Sequence, residues 1–290
     1  MKTTFAVNWQ YGVASHPGWF RMVNEDRSLL RIGSTHSGEP YAVAVIADGM
    51  GGSGDGEKAS EVAIDIARLW LDEKLPALLR RKTLFPQLNI SIEQLFYEIN
   101  QRLIRLGEDA GTQIGTTLTL LFLLNETYYI CHIGDCRIYK ANHKLNIHQL
   151  TRDQSWIFEQ VRKGRLSKQK ARTHPRRHIL MHCLGYQKKL NLVQRTGFFT
   201  EDHLFLLCSD GFYDRLPDPR IERYLQEGNQ EGQDLQQMSD MLIDRALDKR
   251  SNDNISVILV RSLSSSYSFW ERLWYRTKNF HMLFPVQWRK

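Results

Sequence analysis

The sequence predicts an α+β layered domain. Three observations predict it: apolar strand-like runs sometimes follow one another directly, long helical stretches separate groups of them, and no Pro/Gly/Ser-rich linker divides the first 260 residues. A chain of 290 residues allows one large domain or two small ones at about 150 residues each. Its 42% hydrophobic and 24% charged content is that of a globular protein, which excludes disordered and fibrous classes.

In chain order, residues 6–15 and 27–32 are weak strand candidates. The first clear strand is 41–47, rich in Ala and Val. Helical spacing follows over 57–79, with a break expected near Pro76, and again over 92–106. Residues 117–124, 127–133 and 137–140 are β-branched, aromatic or leucine-rich and predict strands. The second and third, joined by Gly134-Asp135, read as a hairpin. A helix over 155–163, a strand over 204–208, a helix over 233–248 and a strand over 255–261 complete the pattern. Residues 262–268 are serine-rich and mark a boundary, so the expected division is a domain over 1–261 and a tail over 262–290.

The net charge is +7, with pI near 9.2. The excess is conspicuous at one end, where residues 267–290 hold Arg272, Arg276, Lys278, Arg289 and Lys290 against Glu271 alone. No nucleic-acid-reading motif accompanies the basic residues, so the reading is of a protein that binds no nucleic acid. Cys131, Cys136, Cys183 and Cys208 lack CxxC spacing, which argues against structural zinc and for free thiols in a reducing cytoplasm. No apolar run of about 18 residues occurs, and residues 1–9 lack an apolar core and a cleavage site. A cytoplasmic protein with no secretory signal is expected.

The chemistry shows at strand ends. The strand over 41–47 runs into Asp48-Gly49, that over 204–208 into Ser209-Asp210-Gly211, and that over 127–133 into Gly134-Asp135. Asp253-Asn254 stands just before the last strand. One Asp-Gly is ordinarily a turn. Four acidic junctions at strand ends bring carboxylates to one sheet edge, where they repel unless a cation sits between them. Oxygen ligands without histidine or thiolate suit Mg²⁺ or Mn²⁺. Gly51, Gly52, Gly54 and Gly56 allow sharp turns before the helix. The same segment lacks the Gly-Lys-Ser/Thr ending of a nucleotide P-loop.

These residues resemble the metal-dependent type 2C Ser/Thr protein phosphatases of the PPM family, bacterial branch. The ordered matches are Arg21-Met-Val-Asn-Glu-Asp26, Ala47-Asp-Gly-Met-Gly-Gly52, Gly56-Glu57 with Ala59-Ser60, and Gly115-Thr-Thr117. They continue with Ile133-Gly-Asp-Cys-Arg137, Leu150-Thr-Arg-Asp153, His174-Pro175, Leu184-Gly185, Cys208-Ser-Asp-Gly211 and Asp253-Asn254, covering residues 10–261. The resemblance implies a four-layer α-β-β-α sandwich: two antiparallel sheets flanked by helices, with metals at one end. It implies two central Mn²⁺ or Mg²⁺ ions held by Asp48, the Gly49 carbonyl, Asp210 and Asp253. Glu25 and Asp26 match residues that hold water on the metals, Asp135 a ligand of a weaker third ion, and Arg21 the arginine that grips substrate phosphate.

The implied function is hydrolysis of phosphoserine and phosphothreonine on proteins by a metal-activated water, opposing a cognate Ser/Thr kinase. The alternative is a catalytically weak or dead phosphoprotein-binding regulator. A monomer is expected. Met50, Cys136, Gln154 and His182 depart from the commoner His, Ser, His and Arg of the family. Gln154 and His182 lie in or beside a flap expected over 153–178 and bear on substrate recognition. Cys136 reads as a structural thiol, with oxidant sensitivity as the alternative. A Cys131–Arg137 cysteinyl-phosphate loop is excluded by the intervening Gly-Asp turn. His16, His174 and His178 are assigned no role. The tail carries Phe269, Trp270, Leu273, Trp274, Tyr275 and Phe280 among basic residues, a pattern for docking to a membrane surface or partner, or for packing back onto the domain.

Overall fold

A computed structural model describes residues 9–51, 55–80, 84–171, 173–201 and 203–262. The tail over 267–290, Gly52 and Gly54 lie outside the described residues. Eleven strands are described: β1 (Trp9–His16), β2 (Asp26–Ser34), β3 (Pro40–Met50), β4 (Gly115–Thr116), β5 (Leu118–Leu124), β6 (Thr127–Ile133), β7 (Arg137–Ala141), β8 (Ile147–Gln149), β9 (Val193–Phe198), β10 (Leu204–Cys208) and β11 (Ile255–Ser262). They form two antiparallel sheets, ordered β1-β11-β10-β7-β8 and β2-β3-β5-β6-β9, with β4 paired to the end of β3.

Period-two alternation explains the layering. On β3, Tyr41, Val43, Val45 and Ala47 face a core shared with helices α1 (Asp55–Leu69) and α3 (Leu84–Ala110). Ala42, Ala44 and Ile46 face the other sheet, meeting Phe205, Leu207, Ile258 and Val260. Across that interior, Leu204, Leu206 and Cys208 on β10 face a third core, with helices α7 (Asp218–Gln230) and α8 (Leu235–Asp248). The order is helices, sheet, sheet, helices, as the resemblance implied. Both faces of the central strands are buried, which is why residues 120–124 read as an unbroken apolar run. The middle layer is locked by Phe205, whose ring meets Tyr128 and Phe199 edge-on at centroid distances of 5.8 and 5.4 Å.

Two expectations are corrected. β6 and β7 form no hairpin: β6 pairs with β5 and β9, and β7 with β10 and β8, in different sheets. Ile130 and Ile138 meet across the inter-sheet core, so the connection must step between layers. Gly134 makes that step at φ +113, a conformation that penalises a side chain. Pro76 also does not break its helix. Trp70–Lys74 is a π-helical turn, and Pro76 falls in the first turn of the next piece, α2 (Leu75–Leu78), where a missing N–H is tolerated.

The connection from β8 to β9 carries two short helices, α4 (Trp156–Arg162) and α5 (Lys168–Ala171). It includes the expected flap and stands over one end of the sandwich. A final short helix, α6 (Asp210–Tyr213), follows β10 directly.

Candidate metal centre

The register of β2 and β3 sets Asp26 opposite Asp48. Asp48 donates its N–H to Thr117 Oγ1 at 2.9 Å. Its carbonyl accepts from the Thr117 N–H at 2.8 Å and from Thr116 Oγ1 at 2.9 Å. With its backbone consumed in this way, the Asp48 carboxyl is the free part. At Gly49 the chain is pressed against α1 and the β1–β2 loop. A Cβ there would lie 2.0 Å from the Gly56 carbonyl oxygen and 2.8 Å from that of Glu25, so the position accepts only glycine.

β10 and β11 bring the second group. Ser209 N–H donates to the Ser256 carbonyl at 3.2 Å, and Ser209 Oγ donates to Asp26 Oδ2 at 2.7 Å, joining the two sheets. Asp26 is 3% exposed, and its other oxygen, Oδ1, is buried with no hydrogen-bond partner among the described residues. Asn254 staples the β1–β2 loop. Its Nδ2 donates to the Pro17 and Val23 carbonyls at 2.9 and 3.0 Å, while its Oδ1 accepts the Glu25 N–H at 2.8 Å. That loop carries Arg21, whose Nη2 lies 3.0 Å from Asp253 Oδ1 and whose Nη1 lies 3.7 Å from Glu25 Oε2. The Arg21 side chain remains 47% exposed.

Asp135 enters from the step between sheets. Its carbonyl accepts from Tyr213 Oη at 3.1 Å. Gln154 grips the preceding residue from both sides: its Oε1 accepts the Gly134 N–H and its N–H donates to the Gly134 carbonyl, each at 2.8 Å. Gln154 Nε2 donates to the Asn191 carbonyl at 2.6 Å. Beneath this turn Arg137 forks onto Asp153, at 2.6 Å for Nη2, and lies 3.5 Å over the Tyr213 ring.

The structure thus brings Glu25, Asp26, Asp48, Asp135, Asp210, Asp253 and Arg21 to one end of the sandwich. It adds two residues that the sequence motifs do not single out. Asp214 sits one turn after Asp210, and His178 comes from the flap. His178 Nδ1 is 3.5 Å from Asp210 Oδ2 and 3.8 Å from Asp214 Oδ2. One donor atom from each of these three lies within 4.8 Å of the others. The i, i+4 spacing of Asp210 and Asp214 was a signal for the first of them.

The charges oppose one another. Burial raises Asp48 well above the carboxylate range, and Asp26, Asp210, Asp135 and Asp253 push it further. Burial likewise raises Asp135, reinforced by Asp210, Asp153 and Asp214. Asp26 is pushed up to about 7, by burial first, against hydrogen bonds from Ser209 and Ser256. Asp253 rises through burial and Asp210, with Arg21 opposing. A set of oxygen donors that repel one another, with one orphaned buried carboxylate oxygen, fits hard divalent cations.

Other candidates separate from the centre. The Cys136 thiol is buried, hydrogen-bonded with Thr117 Oγ1 at 3.3 Å, and raised by burial and then by Asp48 and Asp135, which makes it a poor nucleophile. Cys131 faces the helix-side core while Arg137 belongs to the other sheet, so no cysteinyl-phosphate loop forms. His16 Nδ1 accepts the Gly18 N–H at 2.9 Å. His174 stacks on Trp156 at 5.1 Å between ring centroids, and His182 hydrogen-bonds with Gln187 and Asn191. No described helix is long and apolar enough to cross a membrane.

Residues 21–244 match the family model described as Protein phosphatase 2C. The chain is 31% identical over 247 residues to the serine/threonine phosphatase stp of Listeria monocytogenes serotype 4b, covering 84% of this chain and 92% of that protein. Its fold is similar to the crystal structure of the Mycobacterium tuberculosis serine/threonine phosphatase PstP/Ppp. The TM-score is 0.73 and the identity 25%, with 89% of this chain and all of that one covered. It is also similar, at TM-score 0.69 and 24% identity over 89% of this chain and all of the other, to the catalytic domain of PstP in complex with two manganese ions.

Proposed function

Because the chain belongs to the protein phosphatase 2C family, it is a protein-serine/threonine phosphatase, and we propose that its carboxylate centre hydrolyses phosphoserine and phosphothreonine with divalent cations, opposing a Ser/Thr kinase. The observation that carries this reading is the mutual repulsion of Asp26, Asp48, Asp135 and Asp253, each raised by burial. A regulator without catalysis has no physical use for such a cluster, and the dead-enzyme alternative is set aside on that ground.

Asp48, the Gly49 carbonyl, Asp210 and Asp253 are the groups that would hold two central Mn²⁺ or Mg²⁺ ions, and Asp135 would serve a weaker third. When bound, such ions lower the pKa of water toward neutrality and offset the charge of the phosphoryl oxygens. Asp26, anchored by Ser209, has one oxygen left over to orient a water, and Glu25 stands beside it. Arg21 is half exposed, so its planar fork has N–H groups available to grip a phosphate bidentately. Asn254 keeps Arg21 and Glu25 in place by holding the loop at both Pro17 and Val23.

The test is hydrolysis of a phosphothreonine peptide with Mn²⁺, with Mg²⁺ and in excess EDTA. Activity with a divalent ion and its abolition by EDTA are expected. Undiminished turnover in EDTA overturns the reading.

A further inference from the structure

We propose that the flap is an electropositive platform that selects phosphoprotein segments bearing additional acidic or phosphorylated residues; this rests on the phosphatase reading of the neighbouring centre. Between Arg152 and Arg177 the sequence holds nine Lys or Arg against Asp153 and Glu159 alone. That excess equals the whole chain's +7, so the remaining residues balance. The basic character noted at the tail is therefore the smaller part of the charge asymmetry.

The two flap carboxylates do little to offset it. Asp153 is buried and committed to Arg137 inside the fold. Glu159 alone serves Arg152 at 2.7 Å, Arg162 at 2.8 Å and Lys163 at 4.0 Å. Arg165 and Lys170 are exposed and form no ion pair among the described residues. Arg176 is exposed with its guanidinium 5.5 Å over the Trp156 ring. All three lie outside the buried cores, and α4 beside them has no fully buried residue.

Both ends of the flap are tied to the catalytic end. Gln154 grips the Gly134-Asp135 turn, while Arg177 lies 3.4 Å from Asp214 and His178 lies 3.5 Å from Asp210. A polypeptide whose phosphate sits at the carboxylate centre must run its flanking residues past this surface. Within about 10 Å at 0.1 M salt, exposed cations attract flanking carboxylates and phosphates, and arginine adds bidentate contacts. A neutral segment gains nothing there. The acidic carboxylate centre would by itself repel an anionic segment, and the flap supplies the opposing field.

The experiment uses the full chain loaded with Mn²⁺ and three substrates: p-nitrophenyl phosphate, a phosphothreonine peptide with neutral flanks, and the same peptide with Asp and Glu flanks. At low salt, kcat/KM for the acidic peptide should exceed that for the neutral one by about tenfold, a gap that shrinks as salt screens it. The double variant Arg165→Glu, Lys170→Glu should abolish the gap while leaving p-nitrophenyl phosphate turnover unchanged. Equal kcat/KM for the two peptides in the wild type, or an intact preference in the variant, overturns the proposal. So does competition by a single-stranded oligonucleotide of equal charge that matches the acidic peptide, which would mark a general anion surface. Peptide binding by fluorescence anisotropy is read on the same proteins, so the preference is decided even without turnover. Failure to hydrolyse p-nitrophenyl phosphate would instead count against the phosphatase reading.

Discussion

The carboxylate centre and the flap beside it carry opposite charge and are held in place by different means. At the centre, acidic residues ride on strand ends and short turns that hydrogen bonds from neighbouring residues hold in place. Asp48 is fixed by Thr116 and Thr117, Asp26 by Ser209, and Glu25 by Asn254. These contacts position like charges that would otherwise move apart, and the two packed sheets bear the cost. The flap has short helices, half-buried apolar residues and exposed cations, and it depends on the centre for its anchorage. The difference teaches a division of labour: the rigid sandwich sets the chemistry, and the loosely packed excursion is free to set the choice of substrate.

The sharpest way to break that division is to change a charge at the centre. Asp210→Asn should lower turnover of a phosphothreonine peptide by orders of magnitude. The fold should survive, because the substitution removes a repulsion that Asp48, Asp135 and Asp253 all feel. Circular dichroism and steady-state kinetics together check this. Turnover near wild type would remove Asp210 from the metal-holding set, and an unfolded variant would show that Asp210 is structural.

Arg21→Ala should act next most strongly, and on binding. Arg21 is half exposed, so its charge-assisted hydrogen bonds to a phosphate contribute about 1.5–3 kcal/mol. The loss should appear chiefly as a higher KM for both phosphopeptide and p-nitrophenyl phosphate. An unchanged KM for both would assign Arg21 to holding Asp253 alone, the contact it makes at 3.0 Å.

The centre was legible in the sequence because strand ends are punctuated by Asp-Gly and Asp-Asn. A carboxylate left at the end of a buried apolar run must either meet a cation or give up its charge, and several of them at one edge favour the cation. The outline of the layers was legible through β3, β5, β6, β10 and β11, whose runs are long and apolar. Less was legible where burial is partial. β9 is Val-Gln-Arg-Thr-Gly-Phe, an edge strand without an apolar face, and β8 has three residues. α7 buries Ile221, Tyr224, Leu225 and Gly228 at helical spacing, but its charged remainder and Pro219 hide the stripe. The supposed hairpin failed because adjacency in sequence cannot say whether a tight turn joins neighbours in one sheet or crosses between two. His178 was unassigned because only the folded flap brings it to Asp210.

The anchorage of the flap can itself be probed. Gln154→Ala removes the acceptor for the Gly134 N–H and the donor to the Asn191 carbonyl, loosening the turn that presents Asp135. Turnover should fall several-fold, Asp135→Ala should fall at least as far, and the double variant should fall no further than Asp135→Ala. Calorimetry should show the tighter metal sites intact in all three. Loss of tight binding in Asp135→Ala would contradict the division between two central ions and a weaker third.

A smaller effect is expected on stability without metal. Carboxyls raised on folding bind protons in the native state that the unfolded chain has already released. Stability is therefore fully present below the ordinary carboxylate range and declines as pH rises, for Asp26 between its reference value of 3.8 and about 7. The metal-free protein should melt at progressively lower temperature from pH 5 to pH 7.5, by about 2–4 °C per kcal/mol lost, in scanning calorimetry. Saturating Mn²⁺ should flatten the decline. A melting temperature that rises over this range without metal would mean that the carboxyls are not repelling one another.

The smallest effect on chemistry is expected from the tail. Among the described residues, the three cores draw on Trp9 to Val260, and β11 closes the first sheet between β1 and β10. The larger part of the charge asymmetry lies in the flap and not in residues 267–290. The aromatic and basic pattern of the tail, with Trp270 and Trp274 near Arg272, Arg276 and Lys278, suits an anionic membrane surface. Deleting residues 267–290 should leave peptide turnover within a few-fold and the acidic-flank preference unchanged, while binding to phosphatidylserine vesicles in a flotation assay is lost. If the truncated protein unfolds or loses catalysis, the tail is part of the core. If the substrate preference disappears with it, charge selection belongs to the tail, and the contrast between centre and flap fails on the flap's side.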